Sequence, residues 1–330
     1  MFVVEINRLR GVAILLVVII HTLWSVSIDL PWGPVGLSAF AGGTWLFLFI
    51  SGFLFHRLLH RYEYRPYLLT KFKNVVLPYM TVVLTATFVQ AATGTLANDD
   101  VMIRTVKNLV LGYPVAGPLW FCPMIFLFYL AAPLFARLAR HRGLLLAVTG
   151  LSLAFSLVMT RPPVSAGPLI NIVYFASAYL FGMACSQERE GVTSWARRLA
   201  PVLVVCLMVA AAFGGFGHYP NSGVFDLFMA PERPFLDTTI IAMILFIGLM
   251  MVLLVQDSPA NSLFEWLSPK SFGIFFVHGF ITERLDELVG RELPVMLGVA
   301  AGIAIALLCG SLVGFLQNLL GTRSRLLIGS

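Results

Sequence analysis

Two of the six histidines in this 330-residue sequence, His21 and His278, lie inside apolar stretches, where an ionisable side chain has little reason to be. A polar or charged group within lipid costs a few kcal/mol on insertion scales, so one that persists there is by default a functional candidate. A neutral imidazole with a pKa near 6.5 can take a proton from a hydroxyl as a new bond begins to form, which makes it the usual general base. His21 stands eleven residues beyond Arg10, about 16 Å along a helix. His278 stands eight residues past Lys270, about 12 Å along a helix. Their two stretches are expected to run in the same direction, so both imidazoles could share one depth. The bland alternative is a buried histidine hydrogen-bonded to a neighbouring helix. His56, His60 and His141 fall at the ends of apolar stretches and His218 in a connecting loop, where they read as solvated surface residues.

Basic residues flank the same region. Arg8 and Arg10 open the first apolar stretch, and Lys71 and Lys73 close a basic loop just before Val75 and the helix-bending Pro78. Such a cluster can simply anchor the chain by the positive-inside rule and by attraction to lipid headgroups. It can equally hold phosphate: arginine offers a planar fork for bidentate contact and lysine a mobile point charge, which together suit a di- or triphosphorylated carrier. Metal chemistry has no support. Cys122, Cys185, Cys206 and Cys309 form no CxxC pairing, and neither HExxH, GxSxG, a Walker-type loop nor an EF-hand pattern is present.

The elements that must position these groups are membrane spans. Hydrophobic residues make up 59% of the chain and charged residues only 12%, against about 25% charged in an ordinary soluble protein. Punctuation by charged and Gly/Pro-rich segments predicts ten spans: 11–28, 37–58, 75–92, 118–135, 144–159, 169–185, 200–216, 236–255, 267–285 and 295–316. With ten spans, sixteen of the 22 basic residues fall on the side of the N-terminus and six on the other. Both termini are therefore expected to be cytoplasmic. The expected fold is all-α, a polytopic bundle of about ten transmembrane helices forming one domain over residues 1–330, with no separate soluble domain. The net charge of +6 is read as membrane orientation, not as nucleic-acid binding. A cleaved signal peptide, for which Ser25-Val26-Ser27 would be the site, would discard His21 and is the less favoured reading. Gly52 in the second span reads as a close-packing residue, and Gly117-Pro118-Leu119-Trp120-Phe121 as an interfacial aromatic anchor.

At Arg8-Leu9-Arg10-Gly11-Val12-Ala13-Ile14, running to His21-Thr22, the sequence resembles the opening of the acyltransferase-3 family of integral membrane acyltransferases. Phe49-Ile50-Ser51-Gly52-Phe53-Leu54 is similar to that family's second-span signature, Leu77-Pro78-Tyr79 to the opening of its third span, and Leu119-Trp120-Phe121 to its fourth. Ser271-Phe272-Gly273-Ile274-Phe275-Phe276-Val277-His278 is similar to its late span ending in histidine. The order and spacing of these motifs extend over essentially the whole chain.

The resemblance implies transfer of an acyl group, most often acetyl, from cytoplasmic acetyl-CoA or another acyl-CoA to a hydroxyl. The implied acceptor is a saccharide, a lipid-linked glycan, or another cell-envelope or secreted molecule, and the implied setting is the multi-pass inner membrane of a bacterium. His21 matches the family's first-span histidine, and Arg10 matches the arginine associated with the CoA donor. The basic pair before the third span reads Lys71-Phe72-Lys73-Asn74, with Asn74 where an arginine is common. Catalysis is thus expected from His21, with His278 orienting acceptor or acyl group, and donor binding from Arg10, Lys71, Lys73 and Arg8. An acyl-histidine relay is an alternative route for His21. Two other classes compete: a proton-coupled transporter using the histidines as a relay, and a non-catalytic scaffold. No inverted repeat or pair of broken spans of the transporter kind is evident.

Overall fold

The structure, a computed structural model, describes residues 4–27, 40–94, 101–159, 161–216, 238–321 and 324, and these contain helices and turns but no strand. Apolar segments become helices because, without water, a helix satisfies every backbone N–H and C=O within its own segment. In chain order the helices are α1 Val4–Val26, α2 Gly43–Arg57, α3 Tyr64–Ala92, α4 Val101–Leu111, α5 Phe121–Leu130, α6 Ala132–Leu138 and α7 Arg142–Val158. They continue with α8 Pro168–Gln187, α9 Arg189–Phe216, α10 Thr238–Leu253, α11 Pro259–Leu267, α12 Ser271–Thr282, α13 Leu285–Val289 and α14 Val295–Leu320.

Each of the ten predicted segments is occupied by helix over most of its described length, yet they are unequal. Five helical segments are long and apolar enough to cross a bilayer: α1, α3, the stretch Gly191–Val209 of α9, α8 and α14. The α5–α6 pair, bent by 54°, adds a sixth if taken as one span. The remaining segments are shorter; α2 has 15 residues and α12 has 12. Their shortness has local causes. A turn of 3₁₀-helix at Ser268–Lys270 precedes α12 and charged residues follow it, while the chain turns at Leu58 after α2. In α3 the helix widens to π geometry over Phe72–Val76, directly before Pro78, which has no N–H to donate and whose ring crowds the carbonyl of Asn74.

α1 lies in the middle of the bundle, packed by α14, α2, α11 and α12, and Leu9, Ala13, Ile14 and Val18 on it are fully buried. The closest crossing joins α2 to α8. A Cβ at Gly52 would lie 1.9 Å from the carbonyl oxygen of Tyr179, and one at Gly182 would lie 2.0 Å from that of Phe49. The two glycines therefore let the backbones touch reciprocally, so the expected packing role of Gly52 is what the structure shows.

Candidate functional site

The histidine pair is built by α1 and α12. His21 Nδ1 and His278 Nε2 are 2.9 Å apart, their rings lie within 5° of parallel, and the ring centres are 5.2 Å apart. His278 is completely buried, whereas His21 is partly exposed. The other ring nitrogen of His278, Nδ1, sits 3.0 Å from the carbonyl oxygen of Ile274, one turn back on α12. A carbonyl can only accept, so Nδ1 of His278 carries the hydrogen and its Nε2 presents a lone pair. That lone pair accepts from His21 Nδ1–H, which leaves the lone pair of His21 on Nε2. The backbone of α12 thereby sets the tautomer of both rings and leaves one basic nitrogen, on the less buried histidine, free to act.

The pair sits beside an aromatic wall. Phe275 packs against His278 and Phe121, and Trp120 packs against Phe121 and Phe175. The turn carrying Gly117 and Pro118 docks on α12: Gly117 N–H donates to Glu283, and Pro118 lies against Gly279. Leu119, Trp120 and Phe121 are all buried, so this stretch is a wall of the core, correcting its expected role as an interfacial anchor. Arg161, which follows α7, lays its guanidinium over the Phe175 ring at 5.8 Å and lies within electrostatic reach of His21. Arg161 was not among the residues expected at the site. Its proximity follows from how α7 and α8 close against the wall, for which the sequence carries no local signal.

Nearer the N-terminal end of α1 lies a second cluster. Lys71 holds its ammonium 4.9 Å from the Tyr129 ring centre and 5.5 Å from that of Tyr67. Arg10 is within electrostatic range of both Lys71 and Tyr129. No carboxylate among the described side chains pairs with Arg10 or Lys71. Two cations within electrostatic range of each other in a largely aromatic setting are unfavourable unless an anion joins them, and tyrosine faces offset only part of that cost. Tyr67 and Tyr129 were not among the residues expected at the site; aromatic residues are so common here that their role shows only in three dimensions.

The other two basic candidates are placed differently. Lys73 is exposed. Arg8 is buried and engaged on all sides: it donates at 2.8 Å to Glu265, to Asp257, and to the backbone carbonyls of Leu254 and Gln256. Glu5 pairs with Arg189, and Ser268 donates to Asn7 at 2.7 Å, completing an ionic and polar collar around the start of α1. Tyr79, in the Leu77-Pro78-Tyr79 stretch, is likewise structural: its hydroxyl donates to the carbonyls of Asn108 and Leu109, tying α3 to α4. Of the remaining histidines, His56 is within 3.2 Å of Ser186, His60 and His141 are exposed, and His218 lies outside the described residues. Among the described residues no group of three or more His, Cys, Asp or Glu side chains is arranged to hold a metal ion.

Long apolar helices around an ionisable pair define a multi-pass integral membrane protein. The family model for the acyltransferase domain of the acyltransferase-3 type matches residues 3–314, and the chain belongs to that family. No curated protein and no solved structure matches the chain.

Proposed function

We propose that this protein moves an acyl group, acetyl in the simplest case, from acyl-CoA to the hydroxyl of a saccharide or another cell-envelope or secreted acceptor. The supporting observation is the histidine pair, which presents one free basic nitrogen held in a defined tautomer. Arg10 and Lys71 hold the CoA pyrophosphate as the anion their setting calls for, with Tyr67 and Tyr129 forming the walls of that seat. From Arg10 to His21 is eleven residues of one helix, or about 16 Å, within reach of an extended pantetheine arm of roughly 15 to 20 Å. Donor phosphate and reacting thioester thus fit the two clusters at once.

In the reaction the acceptor O–H gives its proton to His21 Nε2 as its oxygen attacks the thioester carbonyl carbon. The tetrahedral intermediate collapses with cleavage of the C–S bond, and the departing thiolate of CoA takes the proton from His21. Transient positive charge on His21 is shared through Nδ1–H with His278, which is in turn held by the Ile274 carbonyl. General-base assistance of this kind is worth about 10² to 10⁴ in rate. Arg161 is the cation on the far side of His21 from the donor seat in this scheme, and it meets an electron-rich or anionic part of the acceptor.

This reading takes the ten apolar segments as ten membrane crossings of a single domain in a bacterial inner membrane, with both termini and the donor seat in the cytoplasm. The test is acyl transfer in proteoliposomes supplied with labelled acetyl-CoA and an extract of envelope glycans and lipids. Label is expected to pass to an acceptor with wild type and not with His21→Ala. If His21→Ala transfers label as wild type does, the enzyme assignment of the pair is wrong. Loss of pH-gradient-driven flux in that variant would identify a proton-coupled transporter instead.

A further inference from the structure

A separate polar cavity of about 990 Å³ opens where the C-terminal ends of α2 and α8 meet the first turns of α9. Its lining includes Arg57, Ser186, Glu188, Thr193, Arg197 and Arg198, and none of the Arg10, Lys71 or tyrosine cluster. It lies at the same end of the bundle as the start of α1, since Arg189 on its rim pairs with Glu5. Among the described side chains, the carboxylates around it are already taken: Glu188 is held by Arg142 at 2.7 Å, and Glu5 by Arg189. No carboxylate among the described side chains pairs with Arg197 or Arg198. The cavity therefore offers positive charge to an anion.

What kind of anion is decided by the surface that continues from it. Arg198, Val202, Val205 and Val209 follow one another at helical spacing along a single face of α9, and the three valines are 54%, 55% and 49% exposed. The membrane-competent stretch of α9 is only 11% buried inside the protein, against 61% for α1. From Arg198 to Val209 is eleven residues, about 16 Å of helix, which matches one half of a hydrocarbon core of about 30 Å. Trp195, half exposed on the turn beside Arg198, sits where interfacial tryptophans gather. A soluble phosphate would use the arginines and have no use for the valine stripe.

We propose that this cavity seats the phosphate headgroup of an anionic glycerophospholipid, whose acyl chains run down the Val202, Val205 and Val209 face of α9. The two guanidinium groups select an anionic over a zwitterionic headgroup, and the stripe selects a lipid over a free anion. The site is independent of acyl transfer and makes the lipid a resident of the α2, α8 and α9 junction.

Native mass spectrometry on the purified full chain, titrated with phosphatidylglycerol or phosphatidylcholine, tests this directly. Wild type should retain phosphatidylglycerol at least about tenfold more tightly than phosphatidylcholine, since each of the two arginines near a lipid surface contributes about fivefold. Arg197→Gln/Arg198→Gln should lose that preference and Arg197→Lys/Arg198→Lys should keep most of it; both positions are exposed, so folding is not at stake. Equal retention of the two lipids by wild type, or an unchanged preference in the Gln pair, overturns the proposal. So does displacement of the lipid by millimolar inorganic phosphate or free CoA, which would make the cavity a seat for a soluble phosphate.

Discussion

Two arginines two residues apart on one helix have opposite surroundings. Arg8 is saturated, with two carboxylates and two backbone carbonyls around its guanidinium. Arg10 has no carboxylate partner among the described side chains and lies within electrostatic range of Lys71 and Tyr129. Lys71 and Lys73 repeat the contrast on α3, the first over two tyrosine rings and the second exposed. On α1 helical geometry requires this split, because two residues are about 200° of turn and point to opposite sides. A saturated cation can only hold the fold together, whereas one without a partner is available to a ligand. The same distinction applies to the imidazoles, where His278 spends both nitrogens on the protein and His21 keeps one.

The largest effect should come from the group with the free nitrogen. His21→Ala is expected to lower kcat for acyl transfer by about 10² to 10⁴ while leaving the melting temperature close to wild type. An unfolded His21→Ala protein would place His21 with Arg8, among the groups that hold the fold. His278→Phe removes the acceptor that fixes the His21 tautomer, and kcat should fall by about tenfold to a hundredfold, since the base remains but is no longer held in one tautomer. His278→Asn, which keeps an oxygen able to accept from His21 Nδ1–H, should recover part of that loss, and a merely space-filling role for His278 would show no such rescue.

That the two histidines lie at one level along the bundle was legible in the sequence, because counting residues from Arg10 and from Lys270 needs only the helical rise. Their hydrogen bond was not, since it depends on how α1 packs on the α11–α12 segment, where Gly11 closely approaches the Phe264 carbonyl of α11. The apolar segments were legible as helices, but their lengths as spans were not: the π-turn before Pro78 and the 54° bend between α5 and α6 arise from local backbone constraints that hydropathy does not register. The basic motif was legible as a group of four but not in its different surroundings, because partner carboxylates such as Asp257 and Glu265 are some 250 residues away from Arg8 in sequence. An i, i+2 spacing could have warned of the split.

Donor binding sharpens the contrast at the next level. Arg10→Ala should raise the KM for acyl-CoA by about tenfold or more, as expected for loss of a charge-assisted phosphate contact, and should leave the melting temperature unchanged or slightly higher, since it relieves the repulsion from Lys71. Arg8→Ala should do the reverse: the melting temperature falls by several degrees as the collar around α1 opens, while the KM of the protein that remains folded changes little. Thermal melts beside donor saturation curves read both quantities from the same preparations. A donor KM that rises in Arg8→Ala as steeply as in Arg10→Ala would mean that the collar also shapes the seat.

The smallest effect should separate the two lysines. Lys71→Ala removes the ammonium from between Tyr67 and Tyr129 and should raise the donor KM, whereas Lys73→Ala, on the exposed side of the π-turn, should leave it within about twofold, the range of ordinary surface substitutions. The π-turn makes this a stringent comparison, because one extra residue in a turn changes which side chain faces inward. If Lys73→Ala proves as costly as Lys71→Ala, the turn rearranges when donor is bound and brings both ammonium groups to the phosphates. Removing the cause of the turn provides the control: Pro78→Ala restores an N–H able to bond Asn74 and should draw Phe72–Val76 toward regular helix, shifting Lys71 off the tyrosine rings and raising the donor KM without any change to a charged residue.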